Sequence, residues 1–346
     1  MTTTPAGPPP EAAPDGPTPD RAADAAATGP APLLDIGQGD GTVSWRALMG
    51  EAAGALVDAG IISAEVEARR IVEEASGWDG PALHLHLDDP ATVGGVAALD
   101  RMVARRREGE PLQYVLGRWG FRSLDLMVDT RVLIPRPETE GLVDHVLEAV
   151  DRVAAEAEAA GTVAPAPVVV DLGCGTGAIA LAVAAERRDA VVHAVDASEG
   201  AVEVTRANLA GLGVGGSGVT VHHGSWFEPL PEELVGRVTV VASNPPYVPA
   251  DDPLPPEVAD WEPTEALVPG PTGLEAVEGI VAGAGRWLVP GGALVVEIGE
   301  AQGERARALA EGSGFTTVEV RPDLLGRDRA LVARWPGRPE ADTRDD

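Results

Sequence analysis

The sequence predicts an α/β fold in which a seven-stranded, mostly parallel sheet follows a small helical domain and a linking β-hairpin. After residue 165, short apolar runs alternate with helically spaced apolar residues, as expected for parallel strands covered by helices on both faces. From Ser44 to Arg107, the apolar spacing is helical. The stretch between these two regions has the two-residue apolar period of a hairpin.

Composition predicts disorder at both chain ends and indicates the cellular compartment of the protein. Residues 1–40 contain nine of the 31 prolines and show no apolar periodicity, so we expect a disordered leader there and a similar tail at 337–346. Cys174 is the one cysteine, which excludes an intrachain disulfide and is typical of the cytoplasm. Since no secretory signal and no membrane-length apolar run is present, we expect no membrane partner.

Residues 41–112 are predicted to form the helical domain. Apolar residues recur there at steps of three to five positions, beginning with Trp45 and Leu48. Helix breakers at 77–80 and 88–90 divide the region into separate helical segments.

Residues 113–136 are predicted to form the linking β-hairpin. Apolar residues alternate from Phe121 to Val128, and the pattern resumes at Val132 and Ile134. Because turn-forming residues occupy positions 129–130, we place the turn of the hairpin there.

The second predicted domain covers residues 137–336 and starts with a long helix from Glu138 to about Ala160. Pro137 and the acidic residues after it suit a first helical turn, where backbone donors are unpaired and the helix dipole favours negative charge. The seven predicted strands of the sheet are residues 168–172, 191–195, 219–222, 238–243, 293–298, 315–320 and 330–334.

The first strand of this domain carries Asp171 and runs into a glycine-rich turn that opens a helix. The residues of the turn are Gly173, Cys174, Gly175, Thr176 and Gly177. Glycines allow a sharp turn and a close approach of the backbone to a ligand. Their G-x-G-x-G spacing differs from the G-x-G-x-x-G of dinucleotide-binding folds, which argues against a nicotinamide-dependent oxidoreductase. We expect Cys174 to be a small packing residue rather than a nucleophile.

Asp196 ends the next strand, where a carboxylate can accept both ribose hydroxyls of a nucleoside. With the glycine turn, it resembles the S-adenosylmethionine-dependent methyltransferases that have a seven-stranded, Rossmann-like sheet. The resemblance implies S-adenosyl-L-methionine as cofactor, S-adenosyl-L-homocysteine as product and no metal. It implies that residues 173–177 lie along the methionine moiety, that Asp171 is a further cofactor contact and that Asp196 holds the ribose. Trp226, with Phe227 after it, is expected to form a wall beside the adenine.

The fourth strand is followed by Asn244, Pro245, Pro246 and Tyr247, at the sheet edge where ligands bind. The Asn244 side-chain oxygen and the Pro245 carbonyl can each accept one N–H of a planar NH₂ group, so we predict both as catalytic residues. We expect all four residues to bind substrate, with Tyr247 offering a flat face, and Asn244 to lie beside the cofactor as well. Positioning alone can supply roughly 7–11 kcal/mol of a barrier, so no general acid or base is required.

This Asn-Pro-Pro-Tyr motif resembles both nucleic-acid amino methyltransferases, acting on adenine N6 or guanine N2, and protein glutamine N5-methyltransferases. All of these substrates present an amino group on a planar carbon, so the motif does not separate them. The net charge of −29 and the absence of lysine disfavour binding to a phosphate backbone. A protein substrate is therefore favoured, and a nucleic-acid amino methyltransferase is the alternative.

Residues 132–140, with 109–117 before them, resemble the peptide chain release factor glutamine N5-methyltransferases (the HemK/PrmC family). Further similarities occur at 262–267, 297–303 and 323–329. The resemblance implies methylation of the glutamine side-chain amide in the Gly-Gly-Gln motif of class 1 release factors. It also implies that the helical domain helps to dock this protein substrate, without direct contact to nucleic acid. We expect a monomer.

Two positions depart from the family pattern. Residues 269–272 replace the usual Gly-Gly-x-Asp, and Ser225 stands where an acidic residue is common. Neither departure affects Asn-Pro-Pro-Tyr. Arg136 and Glu138, within the Pro-Arg-Pro-Glu stretch, are predicted to connect the hairpin to the sheet domain rather than to face the substrate.

Overall fold

The computed structural model describes residues 42–337, so the predicted leader and residues 338–346 of the predicted tail lie outside the described residues. Within this range, five helices precede a two-stranded hairpin and a seven-stranded sheet with its own helices. The five helices are α1 (Trp45–Asp58), α2 (Ala64–Ser76), α3 (Gly80–His86), α4 (Val93–Arg107) and α5 (Leu112–Leu116).

The helical domain has its own apolar core and is connected to the second domain through a buried arginine. Leu48 and Leu56 of α1 are buried in this core. Arg106, at the end of α4, is buried as well; its Nε donates to Glu67 Oε2 at 2.6 Å and its Nη2 to Glu257 Oε1 at 2.9 Å. Because Glu67 lies in α2 and Glu257 in the second domain, the pair with Glu257 joins the two domains.

The linker contains the predicted hairpin, but the hairpin does not turn at 129–130. The chain makes a separate turn there, which is closed by the Val132 N–H donating to the Asp129 carbonyl at 3.1 Å. Strands β1 (Arg118–Phe121) and β2 (Leu124–Met127) pair antiparallel, and the chain turns at Arg122 and Ser123. Tertiary contacts stabilise this turn, which lacks the glycine or asparagine that would reveal it in the sequence.

Arg122 makes these contacts and has a left-handed backbone conformation, with φ of 51°. Its N–H donates to Glu140 Oε1 at 3.0 Å. Its guanidinium pairs with Asp144 at 2.8 Å and also with Glu186. The turn is therefore held against the first helices of the sheet domain.

Val132 and Ile134, predicted as strand residues, lie in an irregular but buried segment. Side chains supply two of their backbone hydrogen bonds: the Tyr114 hydroxyl donates to the Val132 carbonyl, and the Ile134 N–H donates to Glu262 Oε2 at 3.2 Å. Their apolar period reflects burial, which the sequence pattern alone does not distinguish from strand pairing.

The second domain has the predicted seven-stranded sheet, and its strands have the order β5-β4-β3-β6-β7-β9-β8. The first five strands in this order are parallel, and β9 runs antiparallel to both β7 and β8. The strands are β3 (Val168–Leu172), β4 (Val191–Asp196), β5 (Val219–His223), β6 (Val238–Ser243), β7 (Leu288–Glu297), β8 (Thr316–Pro322) and β9 (Asp328–Arg334).

Helices cover both faces of this sheet, as the alternating pattern predicts. Residues of α6 and α7 form one apolar layer with the sheet, and residues of α10 and α11 form the other. The helices of this domain are α6 (Pro137–Ala159), α7 (Ala178–Glu186), α8 (Glu199–Leu212), α9 (Pro256–Ala259), α10 (Glu275–Ala284) and α11 (Gly303–Gly312).

The order of the strands reverses between β3 and β6. From β3 the chain crosses to β4 and β5 on one side, and from β6 it continues to β7 on the other. In open α/β sheets, ligands bind beyond the carboxyl ends of the strands at such a reversal. The glycine turn after β3 and Asn244 after β6 both lie there. Over residues 42–337, no helix is long and apolar enough to cross a membrane.

Candidate active site

A cavity of about 260 Å³ lies at the carboxyl ends of β3, β4 and β6. It brings together most of the residues that the sequence singled out. The predicted site residues that line it are Gly173, Cys174, Gly175, Thr176, Asp196, Trp226, Asn244 and Pro246. Other lining residues include Arg131, Val132, Leu133 and Pro135 before α6, Thr139 in α6, and Pro263, Glu265 and Ala266. The predicted site residues that do not line the cavity are Asp171, Gly177, Pro245 and Tyr247.

The glycine turn folds as its sequence predicts. Gly173, Gly175 and Gly177 have φ of 72°, 55° and 83°, in the left-handed region that favours glycine. A Cβ on Gly177 would lie 3.0 Å from the Thr205 methyl group, so that glycine is also needed for helix packing. The N–H groups of Gly173 and Cys174 both donate to the Val195 carbonyl, at 2.8 and 3.0 Å, which fixes the turn against β4.

Asp196 lies where β4 meets this turn. Its Oδ2 accepts the Gly175 N–H at 2.8 Å, and its Oδ1 accepts the Ser198 N–H at 2.9 Å. Burial raises the pKa of Asp196 above its ordinary value, although these backbone donors oppose the shift. Each carboxylate oxygen has a second lone pair, so the side chain can accept further hydrogen bonds from two ligand hydroxyls.

Asp171 lies beneath the turn rather than in the cavity wall. It is fully buried, and its Oδ2 accepts the Ala180 N–H of α7 at 3.0 Å. Its Oδ1 has no hydrogen-bond partner among residues 42–337, and burial raises its pKa to about 7. In this structure its visible role is to hold the first turn of α7 behind the glycines.

Cys174 and its neighbours are supported from α8. The thiol is buried, which raises its pKa, and Sγ lies 3.4 Å from Thr205 Oγ1. Such a thiol is protonated and unreactive, in agreement with a packing role.

Asn208 of α8 connects the glycine turn to the hairpin, a role that its sequence context did not signal. Its Nδ2 donates to the carbonyls of Thr176 and Met127, at 2.9 and 3.1 Å. Its Oδ1 accepts the Met127 N–H at 2.7 Å. One side chain thus satisfies three backbone groups from two distant segments.

The two adjacent aromatic residues after β5, Trp226 and Phe227, lie in different environments. Trp226 lines the cavity, with φ of 45°, and its ring lies over Gly173. Phe227 instead packs in the apolar layer, stacked on Trp287 with ring centroids 5.9 Å apart. Only the first of the two adjacent aromatic residues can therefore form a ligand wall.

Asn244 and Tyr247 belong to one chain of hydrogen bonds. Asn244 Nδ2 donates to Thr139 Oγ1 at 3.1 Å, and this hydroxyl donates to Glu297 Oε2 at 2.7 Å. The Tyr247 hydroxyl donates to Glu297 Oε1 at 3.2 Å. Since the NH₂ group of Asn244 faces Thr139, the amide presents its oxygen on the other side.

Further contacts fix the backbone after Asn244. Gln302 Nε2 donates to the carbonyls of Tyr247 and Gly273, at 2.9 and 3.1 Å. Gly273 has φ of 74°, and a Cβ there would lie 2.5 Å from the Tyr247 carbonyl oxygen. Gln302 and Gly273 thus hold the segment that contains Pro245 and Pro246.

Arg136 connects the linking segment to the sheet domain as we expected, whereas Glu138 makes an ion pair within the sheet domain and does not connect the two. The Arg136 guanidinium pairs with Glu262, the residue that also accepts the Ile134 N–H. Glu138 Oε1 accepts from Arg327 Nη2 at 3.0 Å. These pairs fix the segments on either side of the cavity.

Both departures from the family pattern lie near the site. Ser225 is part of the cavity wall. At 269–272, the Thr272 N–H and hydroxyl donate to Glu275 Oε1 at 2.8 and 2.9 Å, which closes the turn before α10.

The lining of the cavity suits a nucleoside cofactor with an amino-acid chain. Asp196 accepts hydroxyls, Trp226 offers a flat apolar face, and the open backbone of the glycine turn leaves room for a chain beside Asn244. Among residues 42–337, no three His, Cys, Asp or Glu side chains are grouped as metal ligands.

A seven-stranded sheet of this order, with a G-x-G-x-G turn and Asn-Pro-Pro-Tyr at its reversal point, defines a methyltransferase. The chain matches the family model of the PrmC N-terminal domain over residues 47–117 and that of the methyltransferase small domain over 160–253.

Three relatives show which kind of methyltransferase the chain resembles, and each is named release factor glutamine methyltransferase. The one from Cereibacter sphaeroides is 41% identical over 284 residues, which cover 81% of this chain and 95% of the relative. The one from Xylella fastidiosa strain 9a5c is 38% identical over 278 residues, 79% and 94% of the two chains. The one from Mycolicibacterium smegmatis is 38% identical over 291 residues, 83% and 96%. This chain belongs to the release factor glutamine methyltransferase family.

Proposed function

We propose that this protein transfers a methyl group from S-adenosylmethionine to the side-chain amide nitrogen of glutamine in the Gly-Gly-Gln motif of a class 1 release factor. The observation that carries the proposal is the position of Asn244, with its amide oxygen held outward, in the wall of a cavity that also contains Asp196 and the glycine turn. We further propose that it acts as a cytoplasmic monomer.

The cofactor half of the site is formed by the turn after β3 and by Asp196. When bound, S-adenosylmethionine supplies an electrophilic methyl group on a positively charged sulfur. Residues 173–177 would hold its amino-acid chain, Asp196 its ribose hydroxyls and Trp226 its adenine. Asp171 supports this half from below, through the Ala180 N–H.

The substrate half holds a planar amide. Asn244 Oδ1 and the Pro245 carbonyl each accept one N–H of the glutamine NH₂ group, which directs the electron density of the nitrogen toward the methyl carbon. In the transfer, the N–C bond would form as the S–C bond broke, S-adenosyl-L-homocysteine would be the leaving group, and one N–H proton of the substrate would pass to solvent. Holding the two groups in line can lower the barrier by roughly 7–11 kcal/mol without a charged catalyst.

The shape and charge of the chain support a protein substrate. Pro246 lines the cavity, and together with Tyr247 it would give this half a flat, apolar surface against which a Gly-Gly backbone, free of side chains, can lie. The net charge of −29 disfavours nucleic acid and favours a basic partner surface. We propose that the helical domain, tied to the sheet domain through Arg106, helps to dock that partner.

The decisive experiment incubates the full chain with S-adenosylmethionine and a purified class 1 release factor. Mass spectrometry of the Gly-Gly-Gln peptide should show the added mass of one methylene on glutamine, and a release factor with that glutamine replaced by alanine should show none. Stripped ribosomal RNA and duplex DNA serve as competing acceptors. Methylation of either nucleic acid, with an unmodified release factor, would overturn the proposal in favour of a nucleic-acid amino methyltransferase.

A further inference from the structure

Two buried residues, Thr139 and Glu297, are distant from the Asn-Pro-Pro-Tyr motif in sequence. In the fold, Thr139 contacts the first residue of the motif and Glu297 contacts the last. Thr139 stands in the first turn of α6, and Glu297 is the last residue of β7. Their side chains are buried and lie 2.7 Å apart, Thr139 Oγ1 to Glu297 Oε2. Through them, Asn244 and Tyr247 share one carboxylate.

The direction of these hydrogen bonds follows from the donor inventory. An ionised carboxylate only accepts, so both the Thr139 and the Tyr247 hydroxyls must donate to Glu297. Because the single hydroxyl hydrogen of Thr139 is donated to Glu297, Thr139 Oγ1 can only accept a hydrogen bond from Asn244. The Asn244 amide must therefore face it with the NH₂ group, at 3.1 Å.

The opposite orientation would disable the substrate half. If the Thr139 hydroxyl donated to Asn244, the amide oxygen would face Thr139 and the NH₂ group would face the substrate. A donor would then oppose the NH₂ group of the substrate, and no hydrogen bond could form there.

We propose that Thr139 and Glu297 are positioning residues, which fix the orientation of the Asn244 amide and of the Tyr247 ring for methyl transfer. The inference rests on the proposed function and adds two residues to it. Burial raises the pKa of Glu297 above its ordinary value, and Glu138 from α6 adds to this rise, whereas the Thr139 and Tyr247 hydroxyls and the guanidinium of Arg329 from β9 oppose it and favour the ionised form. Glu297 does not line the cavity and acts through Thr139 and Tyr247, whereas Thr139 lines the cavity and holds the Asn244 amide.

The test compares two substitutions of Thr139. Thr139→Val keeps the shape of the side chain and removes the hydroxyl, so Asn244 can rotate freely. We expect kcat for release factor methylation to fall about tenfold, the effect of one hydrogen bond, with the cofactor Kd unchanged. Thr139→Ser restores the hydroxyl and should restore kcat.

The matched control is Thr239→Val, at the start of β6. Thr239 is also buried, and its hydroxyl accepts the Val168 N–H at 3.1 Å, far from Asn244 along the strand. This substitution removes a buried hydroxyl of the same sheet and leaves the hydrogen bonds among Thr139, Asn244, Glu297 and Tyr247 unchanged. We expect kcat per folded molecule to stay at the wild-type value.

Glu297→Gln provides a second, independent variant. Its amide has one acceptor and one donor group, so it cannot accept from Thr139 and Tyr247 at once. We expect a lower kcat with an unchanged cofactor Kd, in protein whose folding is verified by circular dichroism. Wild-type kcat in both Thr139→Val and Glu297→Gln would overturn the inference. If wild-type enzyme itself fails to methylate the release factor, the proposed function fails instead.

Discussion

The two halves of the cavity are built in different ways. In the cofactor half, the partners lie close in sequence: Ala180 is nine residues from Asp171, and Gly175 is 21 residues from Asp196. In the substrate half, Asn244 contacts Thr139 across 105 residues, and Thr139 contacts Glu297 across 158. A local motif thus forms the first half, whereas the second requires the assembled sheet.

The two halves also use different chemical groups. The glycine turn is held through its own backbone groups, which are the same for every residue except proline, and their partners include the Val195 carbonyl and the side chains of Asp196 and Asn208. The substrate half is held by side chains, each with a particular donor and acceptor pattern. We therefore expect single substitutions to separate binding of the cofactor from methyl transfer.

The largest effect is expected from Asn244→Ala. Without the amide oxygen, the substrate nitrogen loses one of its two acceptors and its orientation, so kcat should fall by about 10² or more. Cofactor affinity, measured by isothermal titration with S-adenosylmethionine, should remain near the wild-type value. Near-normal turnover would show that Asn244 does not hold the substrate amide.

The next largest effect is expected from Asp196→Ala. The substitution removes the acceptor for ribose hydroxyls and for two backbone N–H groups, so the cofactor Kd should rise roughly 10- to 100-fold. The control is Asp189→Ala, an exposed acid near the start of the same strand that pairs with Arg187, and it should leave the Kd unchanged. An equal Kd in both variants would remove Asp196 from the cofactor half.

The contrast between local and long-range contacts also explains which parts of the molecule could be predicted from the sequence. The seven strands and the glycine turn follow from local patterns, because apolar period and glycine spacing are set within ten or so residues. The turn at Arg122 was missed, because ion pairs with Asp144 and Glu186 stabilise it. Glu297 was recognised only as part of a family motif, since its role depends on the pairing of β6 with β7.

Asn208→Ala tests the contact that joins the glycine turn to the hairpin. It removes three hydrogen bonds that join the glycine turn to β2, so the free energy of unfolding should fall by about 2 kcal/mol. Urea denaturation measures this loss. Asn208→Asp keeps the acceptor for the Met127 N–H but replaces the donor group with a second acceptor that faces two carbonyls, so it should also destabilise the protein; an unchanged stability in this variant would mean that the two donated bonds contribute nothing.

The smallest effect on methyl transfer is expected from Asp171→Asn, because the side chain lies behind the turn. Burial raises its pKa to about 7 in the folded protein, so folding favours the protonated acid. This group therefore makes wild type less stable as pH rises from about 4 to about 7, by at most ~1.4 kcal/mol per pH unit.

Asp171→Asn removes this titration while its side-chain oxygen can still accept the Ala180 N–H. The free energy of unfolding of the variant, relative to wild type, should thus increase between about pH 4 and pH 7. Urea denaturation at several pH values measures the difference, in which the titrations of all other carboxylates cancel. A difference independent of pH would mean that Asp171 is ionised in the folded protein, and the glycine turn would then rest on a buried negative charge directly beneath the cofactor half.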